Sequence, residues 1–394
     1  MKKITITLAV AAAISINATA QAESTRVIVT IENLAPANGT FTTPHWVGFH
    51  DGIFDTYNGG TPASTLPILG SVAIERLAED GNNEPLTNDF SSLVSEGVQA
   101  TIPGPNGPLA PGEITSQSFV LDSNNLSQRF FSYASMVLPS NDFWYANGNP
   151  QAHPIFDENG AFIAQDFFVT QNDVLDAGTE VNDEIPANTP LLGQEVANTG
   201  IDENGVILDF GDASGLVAFR QPEDGGNILA DPRFNMADFA VEGYPLVKIS
   251  FSAAPAITDN LRFRAKLNGD QEMPAVDTQA FGITKLRLRN NGERLKFVSF
   301  FRGLRNVTMA HLHVGAEGTN GPVVASLLPA DFNPRSREGR RANFLISGNL
   351  SNSDLVGPLA GQPLDALIAE IQAGNVYINI HTEQNPSGEI RGQL

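Results

Sequence analysis

Alternation of apolar and polar positions is the clearest signal along the chain. Arg26-Val27-Ile28-Val29-Thr30-Ile31-Glu32-Asn33 alternates and ends in turn chemistry, which predicts an opening β-strand. Ser118 to Leu121 predicts another, and Gly243 to Phe251 reads as a strand that closes the same module. Between them the run Ser135-Met136-Val137-Leu138 stops at Pro139, which delivers Asn141 and Asp142 to a strand end, where a loop can hold a ligand. From residue 261 the pattern becomes regular. Leu261 to Leu267 and Thr284 to Arg289 alternate with period two, Asn268-Gly269-Asp270 and Asn290-Asn291-Gly292 supply turns, and Leu295 to Phe301 is the next strand of a meander. Ile68 to Leu77 predicts one short helix. The fold class expected is all-β, as two β-sandwich-like domains in tandem with few short helices.

The first 22 residues break this pattern. Lys2 and Lys3 precede an apolar core from Ile4 to Ile16, and Ala20-Gln21-Ala22 is a small-residue cleavage site, so residues 1–22 read as a signal peptide. Export to the periplasm or the extracellular space follows, and no later run approaches the roughly 20 apolar residues of a transmembrane segment. The complete lack of cysteine removes disulfides, thiolate metal ligands and thiol nucleophiles. Ala253 to Asn260 is a small-residue, proline-containing stretch, which divides the mature chain into 23–254, a linker 255–260, and 261–394. Charge divides it at the same place: residues 261–394 carry 15 Lys and Arg against 12 Asp and Glu, while positions 23–260 carry 6 against 32. So acidic a first module disfavours nucleic acid and favours cations, or is simply a solubilising surface.

Two groups of residues offer chemistry. Asp173, Asp176, Glu180, Asp183 and Glu184 crowd around Gly178, a density of hard oxygen donors that suits calcium better than a transition metal. The same acids also suit turn caps. In the second module His311 and His313 share one face of a strand, and Tyr377, Asn379 and His381 share the polar face of another. If those faces meet, three imidazoles converge, with Glu389 as a further ligand or an outer acceptor; the alternative is a hydrogen-bonded polar layer. His45 and His50, set among aromatic residues, read as packing residues with satisfied ring nitrogens rather than ligands. Arg335, Arg337, Arg340 and Arg341 cluster in a loop, as a solvated run or as a contact for acidic polysaccharide or for the acidic first module.

Ser140-Asn141-Asp142, Asp176-Ala177-Gly178-Thr179-Glu180 and, earlier, Pro44-His45-Trp46-Val47-Gly48-Phe49-His50 with Leu77-Ala78-Glu79-Asp80-Gly81 resemble the spondin N-terminal domain. That resemblance implies a calcium-binding β-sandwich in which the matching ligands are Asp142, Asp176 and Glu180. Ser116-Gln117-Ser118 stands where the resemblance implies one more carboxylate, which implies a site that is weaker or completed differently. Leu267-Asn268-Gly269-Asp270-Gln271-Glu272-Met273-Pro274, Ala310-His311-Leu312-His313-Val314-Gly315, Tyr377-Ile378-Asn379-Ile380-His381 and Pro386-Ser387-Gly388-Glu389-Ile390-Arg391-Gly392 resemble the CHRD domain.

Together the two resemblances imply a secreted, non-catalytic protein of the binding or adhesion type. Its cofactor would be calcium, with copper or zinc at His311, His313 and His381 as a second site, and its partner an extracellular protein or polysaccharide. The alternative is a metal-binding protein or a metalloenzyme like the copper-zinc superoxide dismutases. Such a dismutase uses four copper histidines plus further zinc ligands, whereas this module has three histidines in all.

Overall fold

A computed structural model describes residues 24–183, 185–209, 228–254, 261–289, 292–328 and 342–394. The signal-like residues 1–22, the linker 255–260, Glu184 and the arginine cluster at 335–341 lie outside the described residues.

In the first part of the chain the strands are β1 (Ser24–Asn33), β2 (Phe41–Thr42), β3 (His45–His50), β4 (Val98–Ile102), β5 (Ile114–Asp122), β6 (Phe130–Leu138), β7 (Phe143–Ala146), β8 (Asp166–Thr170), β9 (Val174–Asp176), β10 (Leu208–Asp209) and β11 (Pro245–Ala254). One sheet runs β5-β1-β11-β8, and a second runs β10-β9-β7-β6-β3-β4, with β2 also paired to β6. The expected closing strand does close the module, pairing along the whole of β1 from Arg26 against Ala254 to Asn33 against Val247. Val27, Val29 and Ile31 of β1 meet Val47, Phe49, Phe131 and Phe251 in one buried cluster, which is the filling of a β-sandwich.

The second sheet is covered on its other face as well. Helices α1 (Ala73–Asp80) and α2 (Glu84–Leu93) contribute Ile74, Leu77, Leu86 and Phe90 to a separate cluster with Trp46 and Trp144. All six residues of β3 are therefore buried, and its two histidines face opposite cores. The helix expected at Ile68 to Leu77 begins later, at Ala73. Gly70 adopts φ +83° and Ser71 closes a turn onto the Ile68 carbonyl, so the chain is still turning there. α1 stops at Gly81, whose left-handed conformation lets its N–H reach the carbonyls of Arg76 and Leu77.

His50 has both ring nitrogens engaged, Nδ1 accepting from the Gly52 N–H at 3.0 Å and Nε2 bonded to Ser132 Oγ at 2.8 Å. His45 is half as well served: Nε2 meets the Tyr145 hydroxyl at 2.6 Å, while Nδ1 is buried without a partner. Burial lowers His50 to about 4, against a smaller upward pull from Asp51, and lowers His45 to about 3. The unfolded chain therefore binds protons that the folded one refuses below pH 6.5. The stability these rings contribute is complete above 6.5 and falls as pH drops toward 4 and 3, by about 1.4 kcal/mol per unit and ring. The imidazole resonances of both should stay in the neutral form from pH 7 to 5; a midpoint near 6.5 for His50 would remove it from this pocket.

In the second part β12 (Arg262–Asn268), β13 (Phe281–Arg289), β14 (Arg294–Leu304), β15 (Val307–Val314), β16 (Val323–Ser326), β17 (Ala342–Leu350), β18 (Val376–Thr382) and β19 (Ile390–Gln393) form one sheet in the order β16-β15-β18-β19-β12-β13-β14-β17, with helix α3 (Leu364–Gln372) against it. The expected meander is present, with β12, β13 and β14 antiparallel in sequence. Its core, from Ala265 to Ile390, shares no residue with either cluster of the first part. The fold is all-β, with three α-helices among the described residues.

The two parts touch through β1 and its edge neighbour β5. Arg26 is 1% exposed there, bonded to Ser118 Oγ at 3.0 Å and ion-paired with Asp365 in the first turn of α3. Asn352 donates to the Ser116 carbonyl at 2.7 Å and to Gln117 Oε1 at 3.0 Å. At Gly361, φ +71°, a Cβ would overlap the Ile114 carbonyl, so the backbones there pack as closely as glycine allows.

Two candidate metal centres

β15 and β18 are neighbours, with His311 opposite Asn379 and His313 opposite Tyr377. Ala310, Leu312, Ile378 and Ile380 turn into the core, which leaves the histidines on the other face. There the rings of His311, His313 and His381 lie 5.2 to 6.1 Å apart, and one nitrogen from each falls within 4.8 Å of the other two. Two of the three are oriented by backbone carbonyls: His313 Nδ1 lies 2.9 Å from the Gly321 oxygen and His381 Nδ1 lies 2.9 Å from the Pro386 oxygen. A carbonyl only accepts, so each Nδ1 carries the proton and each Nε2 keeps its lone pair. Both Nε2 atoms are buried without a partner, as is Nδ1 of His311.

Burial lowers all three rings, His311 to about 4 with further repulsion from His381 and His313, so the cluster is uncharged at neutral pH. Tyr377 stacks on His313 at 4.8 Å and 9°, and the Arg391 guanidinium lies over the Tyr377 ring at 3.4 Å. Glu389 is not among the converging groups; its oxygens take the hydroxyls of Thr278 and Thr382, both at 2.8 Å. Three buried lone pairs with no donor are costly unless a cation meets them, and metal-binding histidines usually show this carbonyl-fixed tautomer. The polar-layer alternative is met in part, by the bonds of His313 and His381 to the carbonyls, and leaves three ring nitrogens over.

The family model described as the CHRD domain matches residues 263–394. Those residues are a CHRD domain. The match covers about a third of the chain and does not extend to the first part. No curated protein matches the sequence. The histidine cluster thus belongs wholly to the CHRD domain, on the strands that carry its His-x-His and Tyr-x-Asn-x-His patterns. Sequence reading missed what holds the cluster, namely Tyr377 with Arg391 and the carbonyls of Gly321 and Pro386. Gly321-Pro322 and Pro386-Ser387-Gly388 are turn signals, but nothing local says that their carbonyls face a histidine.

In the first part, Asp142 follows the end of β6, Asp176 closes β9, and Glu180 lies just beyond; all three are buried. Asp142 Oδ2 accepts from the N–H groups of Thr179 and Glu180 at 3.1 and 3.2 Å. Asp176 accepts from Gly178 N–H and from Asn182 Nδ2, both at 2.7 Å. Asn141 Nδ2 reaches Glu180 at 3.3 Å and the Val181 carbonyl at 2.8 Å. Burial pushes the Asp142 carboxyl well above the carboxylate range, reinforced by Asp176, and pushes Glu180 up to about 8, reinforced by Glu79. Glu79, raised to about 7, lines a cavity of about 370 Å³ together with Thr179 and Asp202.

This cluster is looser than the histidines. Among the described residues, the three carboxylates do not form a set with all ligand oxygens within 4.8 Å, whereas the histidine nitrogens do. Yet Asn141 Oδ1 and Asp142 Oδ1 are buried and have no donor. An amide oxygen and a carboxyl oxygen left in that condition fit a hard cation, which would displace the carboxyl proton. Ser116, at the place of the missing carboxylate, is bonded to Thr30 at 3.1 Å.

Proposed function

We propose that this is an exported, non-catalytic binding protein whose CHRD domain holds a late first-row metal, zinc or copper, through His311, His313 and His381. The observation that carries the reading is the convergence of three neutral imidazoles with bare, buried lone pairs. An all-nitrogen donor set suits zinc or copper and offers nothing to calcium or magnesium. The signal-like N-terminus supports export, and the absence of cysteine is compatible with it. Purified full-length protein should take up one zinc or copper per chain. His381→Ala and His313→Ala should each weaken that affinity by at least about tenfold while the fold is kept, as judged by circular dichroism. Metal content that stays below a tenth of an equivalent at equimolar metal would end the reading. Metal-loaded protein should not dismute superoxide; dismutation that disappears in His381→Ala would favour the metalloenzyme alternative.

A second site is supported by the orphaned oxygens of Asn141 and Asp142. There Asp142, Asp176 and Glu180 would hold calcium in a spondin-like first module, with backbone carbonyls and water completing the 6 to 8 oxygens calcium takes. The module would then act as a calcium-stiffened adhesive platform toward an extracellular protein or polysaccharide.

A further inference from the structure

We infer that the CHRD metal is bound through Nδ1 of His311 and Nε2 of His313 and His381, and keeps a fourth position for a small anion from solution. This rests on the reading that the histidines hold a metal. The two Nε2 assignments follow from the carbonyls: Gly321 and Pro386 occupy Nδ1 of His313 and His381 at 2.9 Å each, which leaves only Nε2 to coordinate. His311 has no such carbonyl. Its buried, unpartnered nitrogen is Nδ1, and Nε2 is left to carry the proton of the neutral ring. The mixture has a geometric cause. His311 and His313 sit two apart on β15, so their Cβ atoms start from different points along the strand. A single ion between them is reached by the near nitrogen of one ring and the far nitrogen of the other.

The open position follows from the donor count. No carboxylate joins the group among the described residues, Glu389 is engaged by two threonines, and the chain has no cysteine. Structural zinc sites close with four protein ligands, whereas sites with three keep water or an exogenous ligand in the fourth place. Access is on the side of His311, which is half-buried while its two partners are about 7–8% exposed. Charge selects an anion. Three neutral imidazoles leave the dication's charge uncompensated within the ligand set; the buried Arg391 lies over the Tyr377 ring that stacks on His313, and the buried Glu272 sits one residue further out, bonded to Asn379 at 3.3 Å. Among the described residues no carboxylate joins the three nitrogens, so an anion in the fourth place puts the compensating charge directly against the ion, where attraction is strongest.

The test uses full-length protein loaded with cobalt(II) as a spectroscopic stand-in for zinc, in chloride-free buffer. One equivalent should produce visible d–d bands of the intensity of a four- or five-coordinate ion, and millimolar azide should shift them saturably with one-to-one stoichiometry. In the zinc form, 15N spectra of the imidazoles should show the coordination shift on Nδ1 of His311 and on Nε2 of the other two. Bands that form but ignore azide, or a coordination shift on Nε2 of His311, would overturn this inference and leave the metal site standing. Failure to bind cobalt or zinc at all would overturn both.

Discussion

Arg26→Ala should destabilise the full-length protein by about 3–5 kcal/mol, the range for removing one partner of a buried ion pair. Arg26 lies on the outward face of β1, away from the sandwich core, and it is buried because the CHRD domain covers it with α3 and with the turn at Gly292, which packs against the guanidinium. Its guanidinium serves Ser118 on one side and Asp365 on the other. Burial raises the Asp365 carboxyl and Arg26 draws it back, so without the arginine that carboxylate is left desolvated against a sheet. The same deletion opens a cavity between the two parts of the chain. Arg26→Met combined with Asp365→Leu should recover most of the loss, because it removes both desolvation penalties and keeps the volume. Urea unfolding of the three variants gives the energies, and small-angle scattering reports whether the parts separate. A loss below about 1 kcal/mol in Arg26→Ala with unchanged scattering would mean that Asn352 and the Gly361 contact suffice to hold the interface.

Calcium should raise the stability of chelator-treated protein by about 2.7 kcal/mol at a hundredfold excess over its dissociation constant, by mass action on the folded state. Asp142 and Asp176 repel each other in a buried place, and both Asn141 Oδ1 and Asp142 Oδ1 lack donors. A cation answers both costs at once. Magnesium should do much less, since its small octahedral shell fits loosely held carboxylates poorly. The rise in melting temperature should vanish in Asp142→Ala and Asp176→Ala. Titration calorimetry on Asp176→Asn, which keeps the shape and the bond from Gly178, gives the same answer should the alanine variants fold poorly. No shift in melting temperature at millimolar calcium would return Asp142, Asp176 and Glu180 to the role of buried turn acids.

Much of this protein could be read from local pattern. The meander from β12 to β14 has one buried and one exposed face, so alternation survives in its residues and marks strands and turns. The same reasoning placed His311, His313 and His381 on polar faces, because the opposite face of each strand is core. Local pattern failed where a sheet is covered on both sides. β3 is buried throughout, since α1 and α2 cap the face that would otherwise meet water, and no alternation marks it. α2 itself went unforeseen: Pro85 stands in its first turn, Leu86 and Phe90 are its buried residues, and the rest is polar apart from the exposed Leu93.

What the sequence determined by itself was the all-β class, the CHRD domain and the faces of its histidines, all consequences of period-two patterning and of short motifs. What only the tertiary structure decided were contacts between residues far apart in the chain: Gly321 and Pro386 choosing a tautomer, Arg391 lying over Tyr377, Asp142 brought to Thr179, and Arg26 meeting Asp365. The physical reason is that periodicity records only whether a side chain faces water or core. Which lone pair or charge lies opposite is set by strand order and register across the sheet.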